Sequence, residues 1–246
     1  MEGRVLYKYL DAEGGLKMLE NGTLKFTNPT KFNDPFDCHP SLIDYSKKHD
    51  DTEKKRPLEG LAKIQYNYNW WGRESYWICC LSKVYDSLLM WSYYCKHDGI
   101  CIGLDISKTK DDLSKLKDVP KGSPYEIEVQ YKSIIEKPNI YQDINKLYLD
   151  YQLGTKAEAW KHEQEIRLCM LGNCDNTNHM LDSIQKKPSF PKIGGDCFYS
   201  LYLGVRIDEE KKKEVINVAR KLNPCINIFQ MKINTDSFKL DATKIE

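Results

Sequence analysis

The chain has 246 residues, 41% hydrophobic and 30% charged, with 37 Lys and Arg against 36 Asp and Glu for a formal net charge of +1. This is the composition of a globular protein with one sizeable core or two small ones. The charge balance excludes a global nucleic-acid or membrane signature, though not a local basic groove, and no apolar run is long enough to cross a bilayer.

The N-terminal Met1-Glu2-Gly3-Arg4-Val5 has no signal-peptide core. The nine cysteines are an odd number without Cys-x-x-Cys spacing. Cys79, Cys80, Cys95, Cys101, Cys169 and Cys225 fall in apolar segments, where cysteine behaves as a small hydrophobe. Reduced thiols in a cytoplasmic protein are the expectation.

In chain order, Leu6 to Tyr9 reads as a short strand. Asp11 to Asn21 reads as a helix with Leu16 and Leu19 inward, stopped by Gly22, and Thr23 to Thr27 as a strand. Asn28 to Asp37 is a loop by its Pro, Asn and Asp content, and Phe32 and Phe36 imply that it is pinned to the body. Residues 41–71 read as a polar helical insert with an aromatic end, Tyr66 to Trp71.

Tyr76 to Leu81 and Gly99 to Asp105 are near-continuous apolar runs, as central strands are. Between them, Ser82 forms a polar junction and a short helix follows, with Asp86 as its expected N-cap and Leu88, Trp91, Ser92 and Cys95 on its inward face. Tyr93 and Tyr94 lie off that face. Lys108 to Ser123 reads as a charged connector.

Tyr125 to Tyr131 alternates as a strand, and residues 141–159 as an amphipathic helix. Trp160 to Leu168 then reads as a strand with Glu163, Glu165 and Arg167 on one face and Ile166, Leu168 and Met170 on the other. A loop over 172–196, a strand from Phe198 to Val205, a helix from Asp208 to Leu222 and strands from Cys225 to Met231 and Ser237 to Leu240 complete the chain. No internal repeat or linker divides it. The pattern predicts one α+β domain over 1–246, with residues 41–71 as an insert within it.

Two carboxylates two residues apart on one strand face, followed by an arginine, suit either of two roles. In a cleft, one binds a hydroxyl while the other does acid–base work or faces a developing cation. On an open sheet, the same pattern is a solvated face with cross-strand ion pairs. Asp34 and Asp37 suit Asx turns or a divalent cation. The five histidines show no zinc-ligand spacing, and neither a nucleophile elbow nor a Gly-rich phosphate loop is present.

Leu6-Tyr7-Lys8-Tyr9, Phe32 to Asp37, Met90-Trp91-Ser92-Tyr93-Tyr94, Gly99 to Gly103 and Trp160 to Arg167 together resemble a large bacterial family, domain-of-unknown-function family 2971. The order of elements also resembles the ADP-ribosyltransferase fold, which implies a mixed or antiparallel central sheet split around a cleft. In that fold a first strand holds the adenosine ribose of NAD, a second ends in Ser or Thr before a Tyr-bearing helix, and a later strand carries the catalytic Glu.

That resemblance implies NAD as substrate, with a protein or nucleic acid as acceptor, in a bacterial toxin, effector or phage-defence protein. It implies Glu165 as the catalytic carboxylate and Glu163 as the residue that orients the acceptor. Tyr7, Lys8, Ser82, Tyr93, Tyr94 and Arg167 would then surround NAD. The sequence departs from the fold's pattern in having no His on the first strand and Leu81-Ser82-Lys83 where Ser-Thr-Ser is usual. Two other functions fit the residues: a magnesium-dependent hydrolase or nuclease using Asp34, Asp37 and the Glu pair, and a non-catalytic module binding through Tyr66 to Trp71, Tyr93 and Tyr94.

Overall fold

A computed structural model of the protein describes residues 3–44, 73, 76–117, 124–139, 148–171 and 189–245. The expected insert over 41–71 lies outside the described residues beyond position 44. So do 118–123, 140–147 and 172–188. No described helix is long and apolar enough to cross a membrane.

The chain opens with β1 (Val5–Leu10) and α1 (Ala12–Asn21). Asp11 caps α1 by accepting from the Gly14 amide, and Gly22, at φ 59°, closes it in the left-handed conformation that glycine adopts without a Cβ penalty. Residues 23–27 form isolated bridges instead of the expected strand, Thr27 pairing with Ile78.

The central unit is β2 (Tyr76–Ser82), α2 (Leu88–Cys95) and β3 (Ile100–Asp105). Ser87, not Asp86, caps α2, and the helix buries Met90, Trp91 and Cys95 while Leu88 and Ser92 stay exposed. The expected connector after β3 begins as a helix, α3 (Ile106–Ser114), capped by Asp105. Its buried face is Ile106, Thr109 and Leu113, a helical spacing that the lysines and aspartates between them obscure.

The alternating segment divides into β4 (Tyr125–Glu128) and β5 (Gln130–Lys132). The helix expected over 141–159 is α4 (Leu149–Gly154), which ends where β6 (Thr155–Ala157) pairs in parallel with β5. A 3-10 turn over Glu158–Glu163 leads into β7 (Glu165–Leu171), so the expected strand begins five residues later than Trp160. The remainder is β8 (Phe198–Leu203), α5 (Glu209–Leu222), β9 (Asn227–Ile233) and β10 (Leu240–Ile245).

The large sheet has eight strands in the order β10-β9-β8-β3-β1-β2-β7-β4. It is mixed: β8 and β9 run parallel, and the other neighbours antiparallel. One face carries the main core, in which Leu6, Leu81, Ile102 and Leu168 pack with Leu19 of α1 and Val215 of α5. The other face is divided. Tyr9, Cys101 and Tyr202 pack under Trp91 of α2, and Ile78 and Cys169 pack under Leu149 and Leu153 of α4.

Between these two clusters the sheet opens. β1 pairs with β3 along its whole length, from Val5 opposite Asp105 to Leu10 opposite Ile100, and β2 pairs with β7 from Tyr76 opposite Leu171 to Ser82 opposite Glu165. β1 and β2 meet only at Tyr7 opposite Ser82. Beyond that pair they diverge. Thr27 takes the place of β1 beside Ile78, and Lys8 Nζ bonds the Cys80 carbonyl at 2.9 Å.

Candidate active site

A cleft of about 310 Å³ lies at this divergence. Tyr7, Lys8, Ser82, Tyr94, Glu163 and Glu165 line it, together with Lys25, Lys31, Phe32, Asp37 and Lys156. The register explains the convergence. Tyr7 stands opposite Ser82, and Ser82 opposite Glu165, so residues from β1, β2 and β7 form a row on the face that carries α2.

Glu163 reaches the cleft by a different route from the expected strand face. It ends the 3-10 turn, and Gln164 turns the chain through a left-handed conformation (φ 43°) before β7 begins. The two carboxylates converge all the same, because Lys156 of β6 bonds both: it donates to Glu163 Oε2, and to Glu165 Oε2 at 3.0 Å. Its ammonium also lies 3.5 Å from Asp37 Oδ2 and 5.2 Å from the Trp160 ring. Tyr94 donates to Glu163 Oε1 at 2.6 Å, and Ser82 Oγ donates to the Glu163 carbonyl at 2.7 Å. Ser82 thus fixes the backbone of one acid while standing beside the other.

Arg167 lies behind the carboxylates. It is 0% exposed and does not line the cleft, so a direct contact with ligand, as expected from the sequence, is not its role. It donates from Nε to Glu165 Oε1 at 2.8 Å, to both oxygens of Asp37 at 2.9 and 2.8 Å, and to the Leu153 carbonyl at 2.6 Å. Its guanidinium stacks 5.4 Å from the Phe32 ring, which pins the Asn28 to Asp37 loop; Phe36, expected to share that job, is 59% exposed. Tyr93 also departs from expectation. It is 61% exposed, meets the His162 ring edge-on, and is not part of the cleft lining.

The two acids sit in opposed electrostatic settings. Burial works against the charge of Glu165, but Arg167 and Lys156 outweigh it and hold the carboxyl well below the usual range. For Glu163, burial dominates, and with Glu165 beside it the proton is held above the usual carboxylate range despite Lys156. Lys156 loses hydration by burial, yet its three acids keep it protonated far into alkali. Burial and the bond to Glu163 push the Tyr94 hydroxyl up as well. The pair is therefore shifted in opposite directions: Glu165 is favoured as the hydrogen-bonded carboxylate, and Glu163 holds its proton more readily than an ordinary carboxyl.

Asp34 does not line the cleft; its Oδ1 accepts from the Phe36 amide in an Asx turn. Asp37 is engaged by Arg167. The point on which Asp37, Glu163 and Glu165 converge holds the Lys156 ammonium. Lys156 was not legible as a site residue because its segment reads as helix. Tyr131, which fixes the Glu165 backbone by accepting from its amide at 2.8 Å and whose hydroxyl burial pushes up to about 12, was legible only as a strand aromatic.

No curated protein and no solved structure matches the chain. Residues 90–168, which run from Met90 of α2 through Lys156, Glu163 and Glu165 to Leu168, match the family described as "Protein of unknown function (DUF2971)", the bacterial family that the sequence resembles.

Proposed function

We propose that the cleft binds NAD and breaks its nicotinamide–ribose bond, passing ADP-ribose to an acceptor or to water. One observation carries this reading: Glu165, held ionised, faces the cleft in a row with Ser82 and Tyr7, with Glu163 of opposite protonation tendency beside it. Cleavage of an N-glycosidic bond passes through an oxocarbenium-like state, and a preorganised carboxylate stabilises that cation more than it stabilises the ground state.

In this reaction the bond from ribose C1′ to the nicotinamide nitrogen breaks. Its electron pair stays with nicotinamide, which leaves neutral. The cationic C1′ forms a new bond to an acceptor oxygen or nitrogen, whose proton passes to Glu163. Tyr94 orients Glu163, and Tyr7 and Tyr94 offer ring faces or edges to nicotinamide. Arg167 and Tyr131 position the acids without touching the substrate, and Lys156 positions them from the cleft lining. At about 310 Å³ the cleft is at the small end of ligand pockets, so it encloses only part of a dinucleotide. The setting that goes with this reading is the cytoplasm and a bacterial toxin, effector or phage-defence role.

A metal-dependent hydrolase is the weaker reading, because an ammonium already occupies the point where the three acids meet. For the binding-module reading, Tyr93 is exposed on the surface, Tyr94 lines the cleft, and Tyr66 to Trp71 lie outside the described residues. The test is incubation with NAD labelled in its adenine, followed by separation of free ADP-ribose from labelled protein and nucleic acid. Label that remains entirely in intact NAD contradicts the proposal.

A further inference from the structure

The cleft lining carries charges of both signs. Lys156, which lines the cleft, and Arg167, buried behind it, are matched against Asp37, Glu163 and Glu165. Three more ammonium groups line the same cleft: Lys8 from β1, Lys25 from the bridge segment, and Lys31 from the loop that Phe32 pins. None of the three has a carboxylate partner among the described residues. Lys8 is partly buried and already oriented by the Cys80 carbonyl, a backbone acceptor freed where β1 and β2 part. That bond is to a neutral oxygen, and among the described residues the charge has no ion-pair partner.

Unmatched cations gathered around a concave site raise the local concentration of anions. Lysine ammoniums act as point charges toward phosphate, and several spaced around one cleft suit a ligand with more than one phosphate group. The carboxylates repel an anion of that kind, so the phosphates belong with the unmatched lysines.

We infer that Lys8, Lys25 and Lys31, which line this cleft, form a subsite for a linked diphosphate. This deepens the NAD-cleavage reading, and rests on it for the claim that the diphosphate joins two nucleoside halves. The subsite itself can be tested without any cleavable ligand.

The experiment is titration calorimetry with inorganic pyrophosphate and with orthophosphate on the full chain, for the wild type, Lys8→Ala and the double variant Lys25→Ala/Lys31→Ala. Lys25 and Lys31 are exposed, so the double variant keeps the fold, which a thermal melt verifies. The subsite predicts one pyrophosphate per chain, bound at least tenfold more tightly than orthophosphate. It predicts at least a tenfold loss in the double variant, a loss in Lys8→Ala, and no loss in Glu165→Gln. Absence of pyrophosphate binding, equal binding of orthophosphate, or binding indifferent to the lysines overturns it. Because pyrophosphate has no glycosidic bond, these results are independent of whether NAD is cleaved. Pyrophosphate binding with no NAD turnover would leave the subsite and remove the reading on which its dinucleotide ligand rests.

Discussion

Lys156 donates to Glu165 Oε2 at 3.0 Å from outside the strand that carries Glu165. The same ammonium bonds Glu163, so one side chain from β6 sets the spacing of both acids. The small parallel pair β5–β6, peripheral to the main sheet, therefore has a positioning role in the cleft.

Removing that ammonium leaves three buried carboxylates facing one another with only Arg167 for compensation. Lys156→Gln is expected to move the Glu163 proton further up, because it deletes the nearest cation while burial persists. If Glu163 accepts the acceptor's proton, the acid limb of the rate against pH shifts to higher pH in Lys156→Gln. A pH profile of NAD turnover checks this, and an unmoved limb denies Lys156 the positioning role.

Glu163 and Glu165 differ in how they couple stability to pH. The folded-state pKa of Glu165 lies below its unfolded value of about 4.3. Its contribution is thus present above that value and is lost as pH falls through the lower, folded one. The folded-state pKa of Glu163 is raised, so its ionisation costs stability as pH rises above about 4.3. Glu163→Gln is expected to be neutral or stabilising at pH 7, and Glu165→Gln destabilising. Urea midpoints at pH 7 and in mild acid test the contrast, which inverts if the two acids have been assigned the wrong way round.

Arg167 bonds Asp37, Glu165 and the Leu153 carbonyl while fully buried. Breaking such a network by removing one partner costs about 3–5 kcal/mol, because the remaining charges stay buried and unpaired. Arg167→Met is expected to lose that much in chemical denaturation. A loss below about 1 kcal/mol is what a solvent-exposed pair gives, and it would return Glu-x-Glu-x-Arg to a solvated strand face.

Much of this was legible in the sequence. Asp11 and Gly22 bracket α1 because a cap and a left-handed stop are local chemistry. The apolar runs of β2 and β3 marked central strands, and both flank β1. Glu165 and Arg167 share a face because a strand alternates. What stayed hidden depends on partners distant in the chain. Lys156 reads as one more lysine in a helical pattern until β5 draws its segment into a strand. Asp37 reads as a turn acid until Arg167, 130 residues away, claims it. The left-handed Gln164 has no Gly or Asn to announce it, so the kink that redirects Glu163 was invisible.

Gly103 stands between Tyr7 and Ser200 in the cross-strand row. A Cβ there would come within 2.2 Å of Ser200 Oγ and 3.1 Å of Tyr7 Cε1. Gly103→Ala is expected to cost about 1–3 kcal/mol and to displace Tyr7 from the cleft wall. Thermal melts, with KM for NAD measured alongside, check both effects. Wild-type stability in this variant would mean that the row has slack.

The most direct measurement is release of nicotinamide from NAD by the wild type, Glu163→Gln and Glu165→Gln, each verified as folded. Release by the wild type is expected, at a rate at least about 100-fold higher than in Glu165→Gln, as for loss of a preorganised electrostatic group. Glu163→Gln is expected to suppress transfer to acceptors by about 100-fold or more, the scale of a lost proton acceptor. No release by the wild type, or equal release by wild type and Glu165→Gln, would contradict NAD cleavage at Glu165.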